Sequence, residues 1–313
     1  AGHDVLLMEG QSQLGGWTAA QGEAARTQIA TLAGQIEKAG VRVVTACTVI
    51  GLYDHQFVSA VQVLDENGQT RERLWKMRVA QIVLACGAFE RPMLFPDNDR
   101  PGVMLASAVQ RYAELYGVAC GRRVLLAAAC DSAYGVAHSL QAAGIEVAAI
   151  IDHRDETAAQ APTGVPVYRS SAIVSVKGGQ EVTGVTVISH DGRQRQEILV
   201  DCIAVAGGWT PAVNLYSMAG GSLQWDERSS MFAPSKDLPG ITVVGACAGK
   251  LDVGWVPADN RPTSVALSAL GQTPGKIFVD LQNDVAASDV ALAAQENFRS
   301  VEHLKRYTTM GMA

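Results

Sequence analysis

Apolar and polar positions follow two rhythms along this chain, and the points where one gives way to the other outline its elements. Val5 to Met8 is a short apolar run that ends in the acid Glu9. Between residues 23 and 39, Ala25, Ile29, Leu32, Ile36 and Ala39 recur at helical spacing, which predicts an amphipathic helix stopped by Gly40. Residues 41–48 are β-branched and read as a strand. The runs 57–64 and 71–79 flank Glu66-Asn67-Gly68, and an Asn-Gly pair in that setting predicts a tight hairpin. Gln81 to Leu84 reads as a buried strand followed at once by Ala85-Cys86-Gly87-Ala88.

The pattern then repeats in kind. A helix is predicted over 103–115, a strand over 123–127, a helix over 132–143 closed by Gly144, and a strand over 146–151. Residues 172–176 and 183–189 form an antiparallel set with Asp191-Gly192 as its turn, and strands at 199–206 and 241–244 end in glycine. A last helix is expected over 288–299. Strand–helix–strand units interrupted by hairpins predict an α/β fold of two nested Rossmann-like dinucleotide-binding domains, resembling that of glutathione reductase. The expected division is 1–104 for the first domain, 105–206 for an inserted second domain, 207–274 for the return to the first, and 275–313 for a small C-terminal helical module. Segments 91–102 and 161–166 are the hinge or linker candidates.

Candidate chemistry gathers at the strand ends. Glu9 closes a strand where such folds place an acid that accepts hydrogen bonds from both ribose hydroxyls of a nucleotide. Gly15 and Gly16 follow, and glycine lets backbone approach a ligand closely. Thr48 and Val49, at the end of the next strand, are further candidate cofactor contacts, as are Ala85, Cys86, Gly87, Gly245 and Ala246. The Gly-x-Gly-x-x-Gly turn that should precede Glu9 is not among these residues, so the chain is expected to be a fragment that starts inside the first unit. In the second unit, Ala128, Cys130 and Ala133 fall on the glycine positions of the turn, where Cβ atoms obstruct a pyrophosphate; a retained fold with a lost cofactor is the expectation. Cys86 has no second cysteine nearby in sequence and is read as buried filler.

Composition narrows the picture. The 313 residues carry a net charge of −6, with 48% hydrophobic and 18% charged residues, which suits a core-forming protein and gives no reason to expect a nucleic-acid partner. Arg71, Arg73, Lys76 and Arg78 alternate along one run and read as a solvated strand face. The six cysteines contain no C-x-x-C pair, so a reducing cytoplasm is the economical reading. The longest uncharged stretch, Cys202 to Trp225, carries glycines and a proline and is no membrane span. Neither a Ser–His–Asp set nor zinc spacing suggests hydrolase or metal chemistry.

Several longer strings coincide. Glu90-Arg91-Pro92 is followed by Phe95-Pro96-Asp97-Asn98-Asp99-Arg100-Pro101-Gly102-Val103-Met104-Leu105; the degenerate turn reads Asp131-Ser132-Ala133-Tyr134. Residues 278–285 and 299–309 make up the tail. Together these strings resemble the alpha subunits of heterotetrameric sarcosine oxidase, over essentially the whole chain. Opine oxidase and cyanide synthase-type subunits share the middle string. The tail also resembles the iron–sulfur module of related oxidoreductases, with Asp280 and Gln282 where its first thiolates would stand; they cannot supply soft ligands, so no cluster is expected. His303 beside Glu302 and Lys305 reads as a surface histidine.

The resemblance implies a subunit of a flavoprotein complex that demethylates sarcosine oxidatively with O2, giving glycine, formaldehyde and peroxide. It implies NAD (or FAD) in the first domain, FMN shared at a subunit interface and FAD on the partner beta subunit. Smaller subunits complete such a complex, and a small-molecule amine is its substrate. It also implies a folate-binding domain after Ala313. Ala246, standing where many flavoproteins carry a ribityl-binding aspartate, argues against the standard FAD mode. The alternative is a self-sufficient FAD/NAD(P) oxidoreductase; no catalytic residue is assigned under either reading.

Overall fold

The computed structural model of the chain describes residues 2–66, 68–227, 229–251 and 275–311. They fall into two compact units, the first holding the described residues of Ala1–Phe89 and Trp209–Asn260, the second those of Glu90–Gly208 and Arg261–Ala313. Asn67 of the expected turn and residues 252–274 of the expected return segment lie outside the described residues.

The first unit opens with β1 (Leu6–Met8), α1 (Glu23–Lys38) and β2 (Arg42–Val44). β1 and β2 pair in parallel, Leu6 opposite Arg42 through Met8 opposite Val44. Ala46, at φ 48°, breaks the run read as one strand, and β3 (Cys47–Tyr53) starts a new antiparallel sheet with β4 (Phe57–Glu66) and β5 (Gln69–Arg78). The hairpin forms as its sequence demands: β4 pairs with β5 from Phe57–Arg78 to Glu66–Gln69, and Gly68 takes φ 77°. β6 (Ile82–Leu84) and β7 (Ala88–Glu90) follow.

The second unit is built around a parallel sheet. Its strands are β8 (Val103–Leu105), β9 (Arg123–Ala128), β10 (Glu146–Asp152), β11 (Val167–Tyr168), β12 (Ser171–Lys177), β13 (Gly184–Ser189), β14 (Arg195–Ile198) and β15 (Cys202–Ala206). Five form a parallel sheet in the order β11-β10-β9-β15-β8, with α2 (Ala106–Tyr116) and α3 (Ser132–Ala142) between its strands in sequence. Parallel strands are covered on both faces and so read as continuous apolar runs, as Val124-Leu125-Leu126-Ala127-Ala128 does, every member buried. The expected helix over 103–115 begins three residues later, because Val103-Met104-Leu105 pairs with Ile203–Val205 at the sheet edge. Short apolar runs suit either state, and here the sheet wins. An antiparallel sheet, β12-β13-β14, packs into the same core through Ile173, Val176, Val185, Val187 and Ile198.

The chain returns to the first unit with β16 (Trp209–Pro211), α4 (Asn214–Met218), β17 (Leu223–Asp226), β18 (Met231–Pro234) and β19 (Ile241–Val243). β19 lies parallel to β6, Ile241 opposite Ile82 and Val243 opposite Leu84. These strands share a core with Leu52, Val58, Tyr216 and Cys247. The tail belongs to the second unit and is not purely helical. A hairpin of β20 (Phe278–Asp280) and β21 (Val285–Ala286) precedes α5 (Ala287–Gln295), the helix expected over 288–299 but ending four residues sooner, and α6 (Val301–Thr308) follows it. Asn98 anchors that hairpin, its side chain donating to the Phe278 carbonyl (2.9 Å) and accepting the Phe278 N–H (2.8 Å). Among the described residues no helix is long and apolar enough to cross a membrane.

Candidate functional site

Three chain turns of the first unit leave the C-terminal ends of parallel strands, the place where open α/β sheets bind ligands. The first leaves β1. Glu9 is held by its backbone, donating to the Val44 carbonyl and accepting from Cys47 N–H, both at 2.9 Å, while its Oε1 accepts Gln11 N–H at 2.8 Å. These bonds fix the carboxylate at the strand end and leave it half-buried. Gly10 faces Thr48, whose hydroxyl would stand 3.7 Å from a Cβ built there; Thr48 is exposed. Val49 instead packs into the core beside Cys47 and Ala60.

The glycine pair after Glu9 divides its work. A Cβ on Gly15 would meet Ile29 Cδ1 at 2.6 Å, so Gly15 lets α1 pack closely. Gly16, at φ 52°, faces open space, with nothing within 4 Å of a built Cβ. Gly87 (φ 76°) after β6 and Gly245 (φ 62°) after β19 have the same open surroundings. The β6–β19 ladder brings the latter two turns together, extended by Val244 N–H donating to the Leu84 carbonyl at 2.9 Å. Ala85 is exposed and Ala246 half-buried, in a short 3-10 turn over Gly245–Ala248.

One reading of the sequence is corrected here. Cys86 is exposed rather than buried filler. Gly87, at φ 76°, turns the chain just after β6, and the β6–β19 pairing sets that turn beside the one that follows β19. The hydrogen bond from Cys247 brings the Cys86 thiol down to about 7, against the opposing effects of burial and of the Glu9 charge. Cys247 is pushed up by the same hydrogen bond and by its burial, and its sulfur lies 3.2 Å from the Ala212 carbonyl. The Glu9 charge thus reaches Cys86.

The corresponding strand end of the second unit is filled with side chains. Asp152, closing β10, is fully buried; it accepts from Tyr134 Oη at 2.8 Å and from Arg154 Nε and Nη2 at 3.0 and 2.9 Å. Arg154 also reaches Asp131 at 2.7 Å. Burial opposes the Arg154 charge, but the bonds to Asp152 and Asp131 outweigh it and hold the guanidinium protonated. Ala128, Ala129, Cys130 and Ala133 of the turn are all buried. Burial pushes the Cys130 thiol up to about 11, beside Ser132 Oγ at 3.0 Å. Glu90 is buried too: Oε2 accepts Ser107 N–H at 2.7 Å, Oε1 has no hydrogen-bond partner, and burial raises the carboxyl to about 7.

In the tail, Asp280 organises a loop. Its carboxylate accepts from Gly311 N–H (2.6 Å), Asn283 Nδ2 (2.8 Å), Gln282 N–H (3.0 Å) and Asn283 N–H (3.1 Å), which holds it down at about 2, the Gly311 bond contributing most. Among the described residues no cluster of His, Cys, Asp and Glu is arranged to hold a metal.

Sequence reasoning missed two features of the first unit. Trp17 and Trp209 meet edge to face at 5.0 Å, and the buried Trp17 Nε1 has no hydrogen-bond partner. Cys247, two residues after the candidate Gly245, was not singled out from the sequence. No local pattern joins these residues, which lie far apart in sequence.

Residues 274–313 match the sarcosine oxidase A3 domain. A sarcosine oxidase alpha subunit of Rhizobium meliloti is 33% identical over 307 residues, covering 87% of this chain and 31% of the relative. Another, from Corynebacterium sp. strain P-1, is 34% identical over 317 residues, covering 85% of this chain and 33% of the relative. The chain therefore spans about a third of the length of the curated relatives it matches. Among solved structures, L-proline dehydrogenase from P. horikoshii superposes with a TM-score of 0.68 at 21% identity, covering 99% of this chain and 65% of that one. This last likeness speaks to the Rossmann-like α/β fold alone.

Proposed function

The chain belongs by sequence to the family of sarcosine oxidase alpha subunits, a family of oxidoreductase subunits, and from that premise we propose that its first unit binds a dinucleotide. The observation that carries the reading is that Glu9, the open Gly87 and Gly245 turns and Ala246 each follow the C-terminal end of a parallel strand, with the open Gly16 soon after Glu9 in sequence. The residues fit such a group. Glu9 offers a fixed carboxylate for ribose hydroxyls, and left-handed glycines leave room for backbone to approach a ligand. The unpartnered Trp17 Nε1 is one further donor in the same unit. A nicotinamide or flavin dinucleotide, when bound, supplies hydride-transfer chemistry. The chain's own residues bind and orient it: Glu9 the ribose, Gly16 and Gly245 the approach, Cys86 and Gly87 the floor of the turn.

Under this reading the second unit holds no nucleotide, because Arg154, Tyr134 and the alanine–cysteine turn occupy the space. Amine oxidation then rests with a partner. We place the chain in a complex in which a beta subunit carries FAD, FMN sits at a shared interface, and sarcosine is demethylated with O2. Support comes from the relatives' names as subunits of sarcosine oxidase.

Isothermal titration of NAD, and separately of FAD, into the protein and its Glu9→Ala variant tests the binding claim. Loss of a charged acceptor should weaken binding by about 1–3 kcal/mol, or roughly 5- to 150-fold in Kd. Equal affinity in both proteins would remove Glu9 from the site. Co-expression with a beta subunit, followed by a peroxide assay with sarcosine, tests the complex; robust turnover by this chain alone would favour a self-sufficient oxidoreductase.

A further inference from the structure

Buried polar hydrogens in a folded chain nearly always find an acceptor, so one without an acceptor marks a place where something else supplies it. Trp17 carries such a hydrogen: its Nε1 is buried and has no hydrogen-bond partner among the described residues. The ring is held in place. It meets Trp209 edge to face at 5.0 Å, with 62° between the ring planes, an arrangement that aromatic quadrupoles favour. Trp209 is itself buried, in β16.

Two chain segments of the first unit meet through this pair. Trp17 directly follows the open Gly16, in the turn that begins at Glu9. Its aromatic partner belongs to the other two turns. Just past β16, Ala212 N–H donates to the Gly87 carbonyl at 3.0 Å, and the Ala212 carbonyl lies 3.2 Å from the Cys247 sulfur. Gly87 follows β6, Cys247 lies in the turn Gly245–Ala248 after β19, and the β6–β19 ladder sets those turns side by side. The Trp17–Trp209 contact therefore joins the turn that carries the acid to the segment that ties the two glycine turns together.

We propose that Trp17 Nε1 donates a hydrogen bond to an acceptor oxygen of the dinucleotide beyond its adenosine moiety. The inference rests on the dinucleotide reading and deepens it. Glu9 takes the adenosine ribose at the end of β1, and Trp17, seated against Trp209, takes the part of the ligand that extends towards the Gly87 and Gly245 turns. An indole N–H is a donor only, so what satisfies it must present a lone pair, as the pyrophosphate, the second ribose and the ring carbonyls of such a ligand all do. With no protein acceptor to give up among the described residues, the donor gains its bond on binding without breaking another.

Label the protein with 15N-tryptophan and follow the indole N–H signals of its five tryptophans while NAD, FAD and AMP are added separately. The Trp17 signal is identified by its Overhauser contact with Trp209 and by its loss in Trp17→Phe, a variant that keeps a ring against Trp209 and removes the donor. A saturating dinucleotide should move that signal downfield and slow its exchange with solvent, whereas AMP, which has the adenosine and no second half, should leave it in place. Calorimetry reads the same bond as affinity. Trp17→Phe should weaken dinucleotide binding about 5- to 10-fold, the worth of one hydrogen bond, and leave AMP binding unchanged. An unmoved Trp17 signal under saturating dinucleotide, or an equal loss of affinity for AMP, would overturn the inference. If Glu9→Ala still weakened the dinucleotide in that case, the dinucleotide reading would stand without Trp17. Binding of neither NAD nor FAD would overturn both.

Discussion

Two strand-end acids in this chain have nearly the same address and opposite fates. Glu9 follows β1, stays half-buried, accepts the Gln11 N–H, and is followed by the open turn at Gly16. Asp152 ends β10, is fully buried, and is saturated by Tyr134 and Arg154. A carboxylate left accessible can serve a ligand, whereas one neutralised by a buried guanidinium serves the fold. The same contrast runs through the turns: glycines with free space in the first unit, packed alanines and a cysteine in the second. One fold motif has thus been kept open in one unit and closed in the other.

Substituting Arg154 should produce the largest effect. Arg154→Met leaves Asp152 and Asp131 without their cation in a buried setting, and urea unfolding should show a loss of about 3–5 kcal/mol. Glu9→Ala, on the open side, should stay within roughly 0.5 kcal/mol of the unsubstituted protein. Similar losses at both acids would erase the distinction between them.

The pH dependence sharpens the contrast inside the second unit. Burial raises Glu90 to about 7, so its contribution favours the folded state below its ordinary range and is lost as pH rises through 7. Burial, helped by His190, lowers His153 to about 4, so its contribution is present above 6.5 and is lost as pH falls through 4. The two oppose each other between these limits. Glu90→Gln should expose the histidine alone, and stability should then climb by up to roughly 3 kcal/mol from pH 4 to 6.5. Denaturation at a series of pH values checks this; a curve no steeper than that of the unsubstituted protein contradicts it.

Smaller effects separate the two glycines after Glu9. Gly15→Ala meets Ile29 at 2.6 Å as well as a φ of 116°, and should cost about 2 kcal/mol in thermal or urea unfolding. Gly16→Ala meets no atom within 4 Å at φ 52° and should cost only about 1 kcal/mol, yet weaken nucleotide binding. An equal cost at both positions would mean that Gly16 is as packed as Gly15.

Local patterns in the sequence carried most of the fold. Helical spacing gave α1 and α3, and the Glu66-Asn67-Gly68 string gave the β4–β5 hairpin. Glu9 could be singled out because a strand-end acid is a local signal. The Trp17–Trp209 contact could not, since it joins residues far apart in sequence that no local pattern links. Val103–Leu105 was misread for a related reason: three apolar residues suit helix or strand until a partner strand decides. Arg154 was likewise illegible, because its meaning lies in two acids that only the folded sheet brings to it.

Amide hydrogen exchange with and without bound NAD tests the central claim most directly, because it reports which strand ends a ligand covers. The account predicts slowed exchange at residues 9–17, 46–49, 85–88 and 245–249, and unchanged exchange at 128–134 and 152–154. Protection centred on 128–134, or protection at neither strand end under saturating NAD and saturating FAD, would contradict the claim that the first unit holds the nucleotide and the second does not.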